Sequence, residues 1–245
     1  MYSDHEGTEG LDFYLLPDGT YGVNAGTAYY LDYVVIPSTY KNVPVTQILP
    51  NAFENAPNLK SVTMPNSILE IGDYAFNNCV NLESAKIPLN LIKLGAYSFN
   101  NCVSLSNSIV IPSTLTEIPT YCFNGCKLIT EVTIPESVTT IYPYAFYKTG
   151  LTSVTLLGST TWTVKAVEKY YYQRCSDHGG YAEDRTGDPI YSSRFKNDSK
   201  LHTVKLTSQS ATINYLIGTP IHFGYIEQND TCHYMYYSQV ATISR

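Results

Sequence analysis

Six cysteines and five histidines are the side chains with which this chain of 245 residues could hold a metal or exchange thiols. Cys175 and His178 stand at C-x-x-H spacing, half of a tetrahedral zinc set, and Cys232-His233 is the nearest candidate for the other half. Adjacent ligands are poor geometry for one ion, so no metal is expected. His178-Gly179-Gly180 is similar to an oxyanion loop, but no G-x-S-x-G turn is present to supply the nucleophile. Walker and H-E-x-x-H motifs are missing, and Asp184 with Asp188 are too few for a calcium loop. The residues therefore predict no catalytic group and no cofactor.

The other four cysteines belong to a pattern. Cys79, Cys102 and Cys126 each follow a phenylalanine by three, the slot where Ala56 and Thr149 also sit, and Cys122 takes the slot of Ala75, Ser98 and Ala145. Residues that alternate with Ala and Ser are read as small buried thiols, unpaired and inert. Cys175 and Cys232 lie outside the pattern, and a bond between them stays open; it would suit an oxidising compartment.

The phenylalanines set the period. Phe76, Phe99, Phe123 and Phe146 are spaced by 23, 24 and 23 residues, and Pro65, Pro88, Pro112 and Pro135 take the same steps. A repeat of this length is one turn of a solenoid, too short to bury its own apolar face and obliged to stack on its neighbours. Leu59, Val62 and Met64 recur as Leu82, Ala85 and Ile87, as Leu105, Ile109 and Ile111 with one extra residue, and as Ile129, Val132 and Ile134. That alternation predicts a short strand, ended by a proline that has no N–H for a ladder. A second apolar pair follows in every copy: Ile68/Ile71, Leu91/Leu94, Leu115/Ile118 and Val138/Ile141.

The pattern LxxVxIPxxVxxIGxYAFxxC resembles the BspA-like branch of the leucine-rich repeats. The resemblance covers about residues 31–164 and resumes at 195–213, with Pro119 and Tyr142 where the pattern has Gly, Met64 where it has Ile, and Gly158 where it has Pro. It implies a β-rich leucine-rich-repeat solenoid of the α/β horseshoe class, with coils of about 23 residues stacked through parallel strands. It also implies an exported, cell-surface or secreted protein that acts in adhesion by binding a host, matrix or neighbouring-cell protein, with signal and anchor outside this stretch. A passive spacer presenting another domain is the alternative.

Three regions are expected: residues 1–30 with a capping hairpin, the solenoid at 31–213 with an insertion at about 165–193, and a C-terminal cap at 214–245. Leu11 to Ala25 alternate around Pro17-Asp18-Gly19, a hairpin signal that would cover the open edge of the first coil, while the residues before it read as loosely ordered. Leu201, Val204 and Leu206 would restart the coil after the insertion, and IHFGYIEQNDTCHYMYY reads as a hairpin turning near Asn229-Asp230.

Charged residues make up only 15% and the net charge is −6, which argues against a nucleic-acid partner. No apolar run is long enough for a membrane span. A protein partner remains. Insertions in repeat proteins project from one face, and Tyr170, Tyr171, Tyr172, Arg174, Tyr181, Arg185 and Tyr191 offer the residue types enriched at binding hot spots. The outward strand positions, among them Ser61, Thr63, Ser84, Lys86, Val110, Thr133, Thr155 and Lys205, form a second candidate, a Ser/Thr-rich sheet face. Thr is also simply a good solvent-facing strand residue. Tyr74, Tyr97, Tyr121 and Tyr144, each two before the phenylalanine, read first as a ladder of rings packed on one another.

Overall fold

The computed structural model describes residues 7–106, 108–157, 162–174, 201–206, 221–228, 231–237 and 243–244. β1 (Asp12–Leu15) and β2 (Tyr21–Asn24) form the expected antiparallel hairpin, closed through Leu16 and Gly19. A short 3-10 turn (Gly26–Tyr30) leads into the first coil. Its front strand is β3 (Tyr33–Val35); β4 (Thr39–Tyr40) and β5 (Val43–Ile48) follow. The surplus of the first coil is thus a second hairpin. Lys41 and Asn42 both sit at positive φ, 50° and 62°, as a two-residue primed turn requires.

Each later coil repeats one plan of a front strand, a back strand and a turn edge. Front strands are β6 (Ser61–Thr63), β8 (Ser84–Ala85), β10 (Ile109–Val110), β12 (Glu131–Ile134) and β14 (Ser153–Leu156). Back strands are β7 (Glu70–Ile71), β9 (Lys93–Leu94), β11 (Glu117–Ile118) and β13 (Thr140–Ile141). Every pairing between coils is parallel and in the repeat's register, Val62 opposite Ala85 and Ile71 opposite Leu94. The chain is therefore a solenoid of about six stacked turns, with almost no helix among the described residues.

The core is the set of ladders that the slots predicted. Phe53, Phe76, Phe99, Phe123 and Phe146 are buried and stack in sequence, centroids 5.1–5.6 Å apart and planes within 15° of parallel. Burying a ring of this size contributes roughly 1.5–3 kcal/mol relative to exposure.

At the N-terminal end the hairpin covers the back ladder only, β2 lying parallel to β5. The front edge is closed by residues expected to be loose. Thr8 donates its N–H to the Val35 carbonyl and accepts the Val35 N–H on its hydroxyl, while Gly10 accepts from Ala28. A free strand edge invites another chain, and this short segment blunts it.

Beyond the last coil, β15 (Trp162–Arg174) is a strand of 13 residues. It pairs antiparallel with β16 (Leu201–Leu206), with β18 (Thr231–Tyr237) and with β19 (Ile243–Ser244). β17 (Ile221–Gln228) pairs with β18, Gln228 opposite Thr231, so the expected C-terminal hairpin is present; Asn229 and Asp230 lie outside the described residues. Leu201–Leu206 is a strand, as expected, but its described partner is Trp162–Val167 and the ladder is antiparallel, where a resumed coil would be parallel. The segment from Lys165 to Arg174, expected to project, pairs with β16 and β18, and β19 joins the same strand at Thr163 and Val164. β19 reaches back to β13, Ile243 opposite Ile141, and closes the back ladder at this end. Phe195 and Ile213, expected in the resumed coil, lie outside the described residues.

Candidate functional site

The turn edge carries the densest set of side chains. Tyr74, Tyr97, Tyr121 and Tyr144 stack with centroids 4.7 Å apart at each step. All four have positive φ, 55–62°, a conformation that costs a non-glycine residue roughly 1–2 kcal/mol. In the first coil this slot holds Asn51, for which the conformation is ordinary, and two residues after each phenylalanine the chain is again at positive φ, at Asn55, Asn78, Asn101, Gly125 and Lys148. A stacked aromatic pair returns about 0.5–1.5 kcal/mol, so stacking and strain nearly cancel. Desolvation raises the Tyr97 and Tyr121 hydroxyl pKa values, whereas Tyr74 at the open end of the stack is 37% exposed.

Beside the rings runs an amide ladder. Asn77 donates to Glu54, Asn100 to Asn77 and Asn124 to Asn100, while Asn78 donates to Asn55 and Asn101 to Asn78, at 2.6–3.1 Å. Asn is a common turn former, which Asn78 and Asn101 are by φ; the recurrence of the same amides in consecutive copies is the sequence signal of the ladder. Ser67, Asn90, Thr114 and Ser137 share another slot. Asn90 and Thr114 bond the carbonyls of Asn66 and Leu91 in the coil before, but the Ser67 and Ser137 hydroxyls are buried without a partner.

The repeat cysteines are buried and unpaired. Their thiols also have a task that smallness alone does not explain. Cys79, Cys102 and Cys126 donate to the carbonyls of Phe53, Phe76 and Phe99 in the preceding coil, at 3.0–3.2 Å. Burial pushes the Cys79 pKa up to about 12, and raises those of Cys102 and Cys122 as well. Such thiols are protonated at neutral pH and are neither nucleophiles nor ready metal ligands. No cluster of three His, Cys, Asp or Glu residues suited to a metal occurs among the described residues.

The front sheet face is placed as expected over most of its length. Thr133 stands opposite Thr155 and beside Val110, and Ser61 lies between Tyr33 and Ser84. Tyr33, Val35 and Val110 are exposed large residues on a floor otherwise of Ser, Thr, Lys86 and Glu131. Lys205 does not join it, since it pairs with Thr163 on β15. On the back face Glu70, Lys93 and Glu117 take one slot in consecutive copies, and their alternating charges meet at one step only. Lys93 bridges Glu70, which raises its pKa, but β11 does not pair with β9 and Glu117 stands apart.

The tyrosines of β15 fall into register with the C-terminal hairpin. Tyr170, Tyr171, Tyr172 and Arg174 stand opposite Met235, Tyr234, His233 and Thr231. Tyr234 in turn stands opposite Tyr225, so Tyr171, Tyr234 and Tyr225 make one cross-strand row. The next row on that face is Lys169, Tyr236 and His222. Reading residues 214–245 as a cap missed this company; the signal was the YMYY run facing YYY in a chain of 23 tyrosines. Cys232 stands opposite Gln173. Cys175, Tyr181, Arg185 and Tyr191 lie outside the described residues.

The BspA type leucine rich repeat region matches residues 46–179 in six copies. Among solved structures, a leucine-rich repeat protein from Bacteroides ovatus is similar at 31% identity and TM-score 0.53, over 61% of this chain and 40% of its own. A leucine rich cell surface protein from Faecalibacterium prausnitzii is similar at 26% identity and TM-score 0.48, over 60% of this chain and 49% of its own. The matched part thus spans under half the length of either. No curated protein matches the chain. With the repeat matched over more than half its length and its coils stacked in the repeat's own register, the chain belongs to the BspA-type leucine-rich repeat family.

Proposed function

We propose that this chain is a non-enzymatic interaction module of an exported bacterial surface protein, and that it holds a host, matrix or neighbouring-cell protein by its tyrosines. The observation that carries the reading is the row of Tyr171, Tyr234 and Tyr225 across three adjacent strands, with Tyr170 and Tyr172 flanking it on β15. Tyrosine gives large, rigid, amphipathic contact area at low entropic cost, and a sheet sets several of them in one plane. Surface placement follows the family and the similar Faecalibacterium prausnitzii protein, which is described as a cell surface protein. The domain reading goes with it: a solenoid from residue 31, the strand β15 that follows its last coil, and a terminal unit from 214 that contributes to the same surface.

The sheet face around Thr133 and Thr155 is the second contact surface in this reading, since it is flat, largely uncharged and continuous over adjoining strands. A protein ligand suits these surfaces better than nucleic acid, given a net charge of −6. No helix of the described residues is long and apolar enough to cross a membrane.

The experiment is adsorption of the full chain to surfaces coated with mucin or with extracellular-matrix proteins. Saturable binding supports the module. Failure to bind any of them, with a folded chain, would favour the spacer.

A further inference from the structure

Asn124 and Gly125 are the one Asn-Gly pair in the sequence. The backbone nitrogen after an asparagine is a nucleophile for the side-chain Cγ, and glycine, with no Cβ, leaves that approach open. Attack closes a five-membered succinimide and expels the side-chain nitrogen as ammonia. Water then opens the ring at either carbonyl and leaves aspartate or isoaspartate, with no oxidant or reductant involved. Asn77 and Asn100 take the same slot in the two copies before. Asn78 and Asn101 follow them, and each brings a side chain to the attacking nitrogen.

In the folded chain the reacting groups are held on both sides. Gly125 N–H donates to the Tyr147 carbonyl of the next coil at 2.8 Å, so the nitrogen that must lose its proton is engaged as a donor. Asn124 N–H reaches the Tyr121 carbonyl at 3.3 Å, and the Asn124 carbonyl accepts from Asn101 N–H at 2.7 Å. The Asn124 side chain donates from Nδ2 to Asn100 Oδ1 at 2.6 Å. It ends the amide ladder that begins at Glu54, because the next copy has Tyr147 in the slot. Asn124 Oδ1 is buried without a hydrogen-bond partner.

From this we infer that Asn124-Gly125 is a deamidation site that the fold keeps closed, that it reacts when the coil of Tyr147 lifts away, and that the reaction makes the lifting permanent. Local opening frees the Gly125 nitrogen and lets the Asn124 side chain turn toward it. The product cannot rebuild the rung. A carboxylate only accepts, and one of its oxygens would face Asn100 Oδ1, which is an acceptor there. The other would take the place where Oδ1 already has no partner. A charge so placed is both unpaired and shielded from water, which opposes closure. Isoaspartate also adds one carbon to the main chain between Phe123 and Cys126, both fully packed in the core.

The full chain is incubated at mildly alkaline pH in buffer and in denaturing urea, and peptide mapping follows isoaspartate and aspartate at Asn124. Unfolded, Asn124 should convert faster than Asn77 or Asn100; folded, it should convert roughly tenfold or more slowly than unfolded. Since the reaction needs the Gly125 bond broken, the slowing should be at least the protection that Gly125 N–H shows in amide hydrogen exchange. A smaller slowing would mean that the site reacts with the coil closed, and equal rates folded and unfolded would overturn the proposal outright. Gly125→Asn, which puts at this slot the residue that Asn78 and Asn101 already place at positive φ, should remove the fast site; an unfolded variant that converts at Asn124 as fast as the parent would contradict the chemistry. The permanence is read on parent chain aged in urea, refolded and separated by charge. The converted fraction should melt several degrees below the unconverted one, and equal melting of the two would overturn the claim that the rung is lost.

Discussion

The Cys79 thiol lies 3.0 Å from the carbonyl oxygen of Phe53, one coil back and 26 residues earlier in the chain. Cys102 with Phe76 and Cys126 with Phe99 repeat the contact. A carbonyl at the buried turn has spare lone-pair capacity, and a small weak donor in the next coil fills it without a cavity. The same slot that makes cysteine a core residue thereby makes it a clamp between coils.

This has a consequence at alkaline pH. In the folded chain burial raises the Cys79 pKa from 9.0 to about 12, so between those values the folded state keeps a proton that the unfolded state has lost. Stability is therefore whole below about pH 9 and falls as pH rises toward 12, by on the order of 1.4 kcal/mol per pH unit for this thiol. Cys102 and Cys122, raised in the same direction, add to the fall. Urea melts at pH 8 and pH 10.5 should show it, and Cys79→Ala should flatten the slope. A slope unchanged by the substitution would place the effect elsewhere.

Phe99 has a ring on either side and Phe53 only one. Phe99→Ala should cost about 3–5 kcal/mol, and Phe53→Ala less, measured by chemical denaturation. Unchanged stability in Phe99→Ala would remove the ladder account of the core.

The tyrosine edge sets backbone strain against stacking. Tyr97→Asn relieves the positive φ while losing two stacks, and should fall within about 1 kcal/mol of the parent. Tyr97→Val keeps neither ring nor a tolerable backbone, and should be the more destabilised by about 1–2 kcal/mol. If both cost the same, φ at this slot is not strained. The near-ultraviolet circular dichroism of the stack would be reduced in both.

The stacked core was legible because each slot recurs. Phe76, Phe99 and Phe123 announce their neighbours by period alone, and the parallel strand registers follow from it. The C-terminal third was not legible in the same way. Leu201, Val204 and Leu206 copy the strand pattern of a coil, but alternation reports only that one face of a strand is buried, not which partner lies alongside or in which direction. β15 competes for that strand locally, and an antiparallel neighbour can be reached from it without a coil's return path. Among site residues, Thr133 and Thr155 fall in one row as their slots required. The partnership of Tyr171 with Tyr234 could not be read, because the two are 63 residues apart and share no recurring slot.

Binding is the most direct test of the functional account. The chain and a Tyr171→Ser/Tyr234→Ser variant would be titrated over a mucin-coated or matrix-protein-coated surface on which the parent saturates, with circular dichroism and thermal melting as checks on folding. Losing aromatic anchors at an interface costs about 2 kcal/mol or more, so the variant should bind at least roughly thirtyfold more weakly while melting cooperatively. A folded variant that binds as tightly as the parent would contradict the tyrosine row as the contact surface, and Thr133 and Thr155 would become the positions to change.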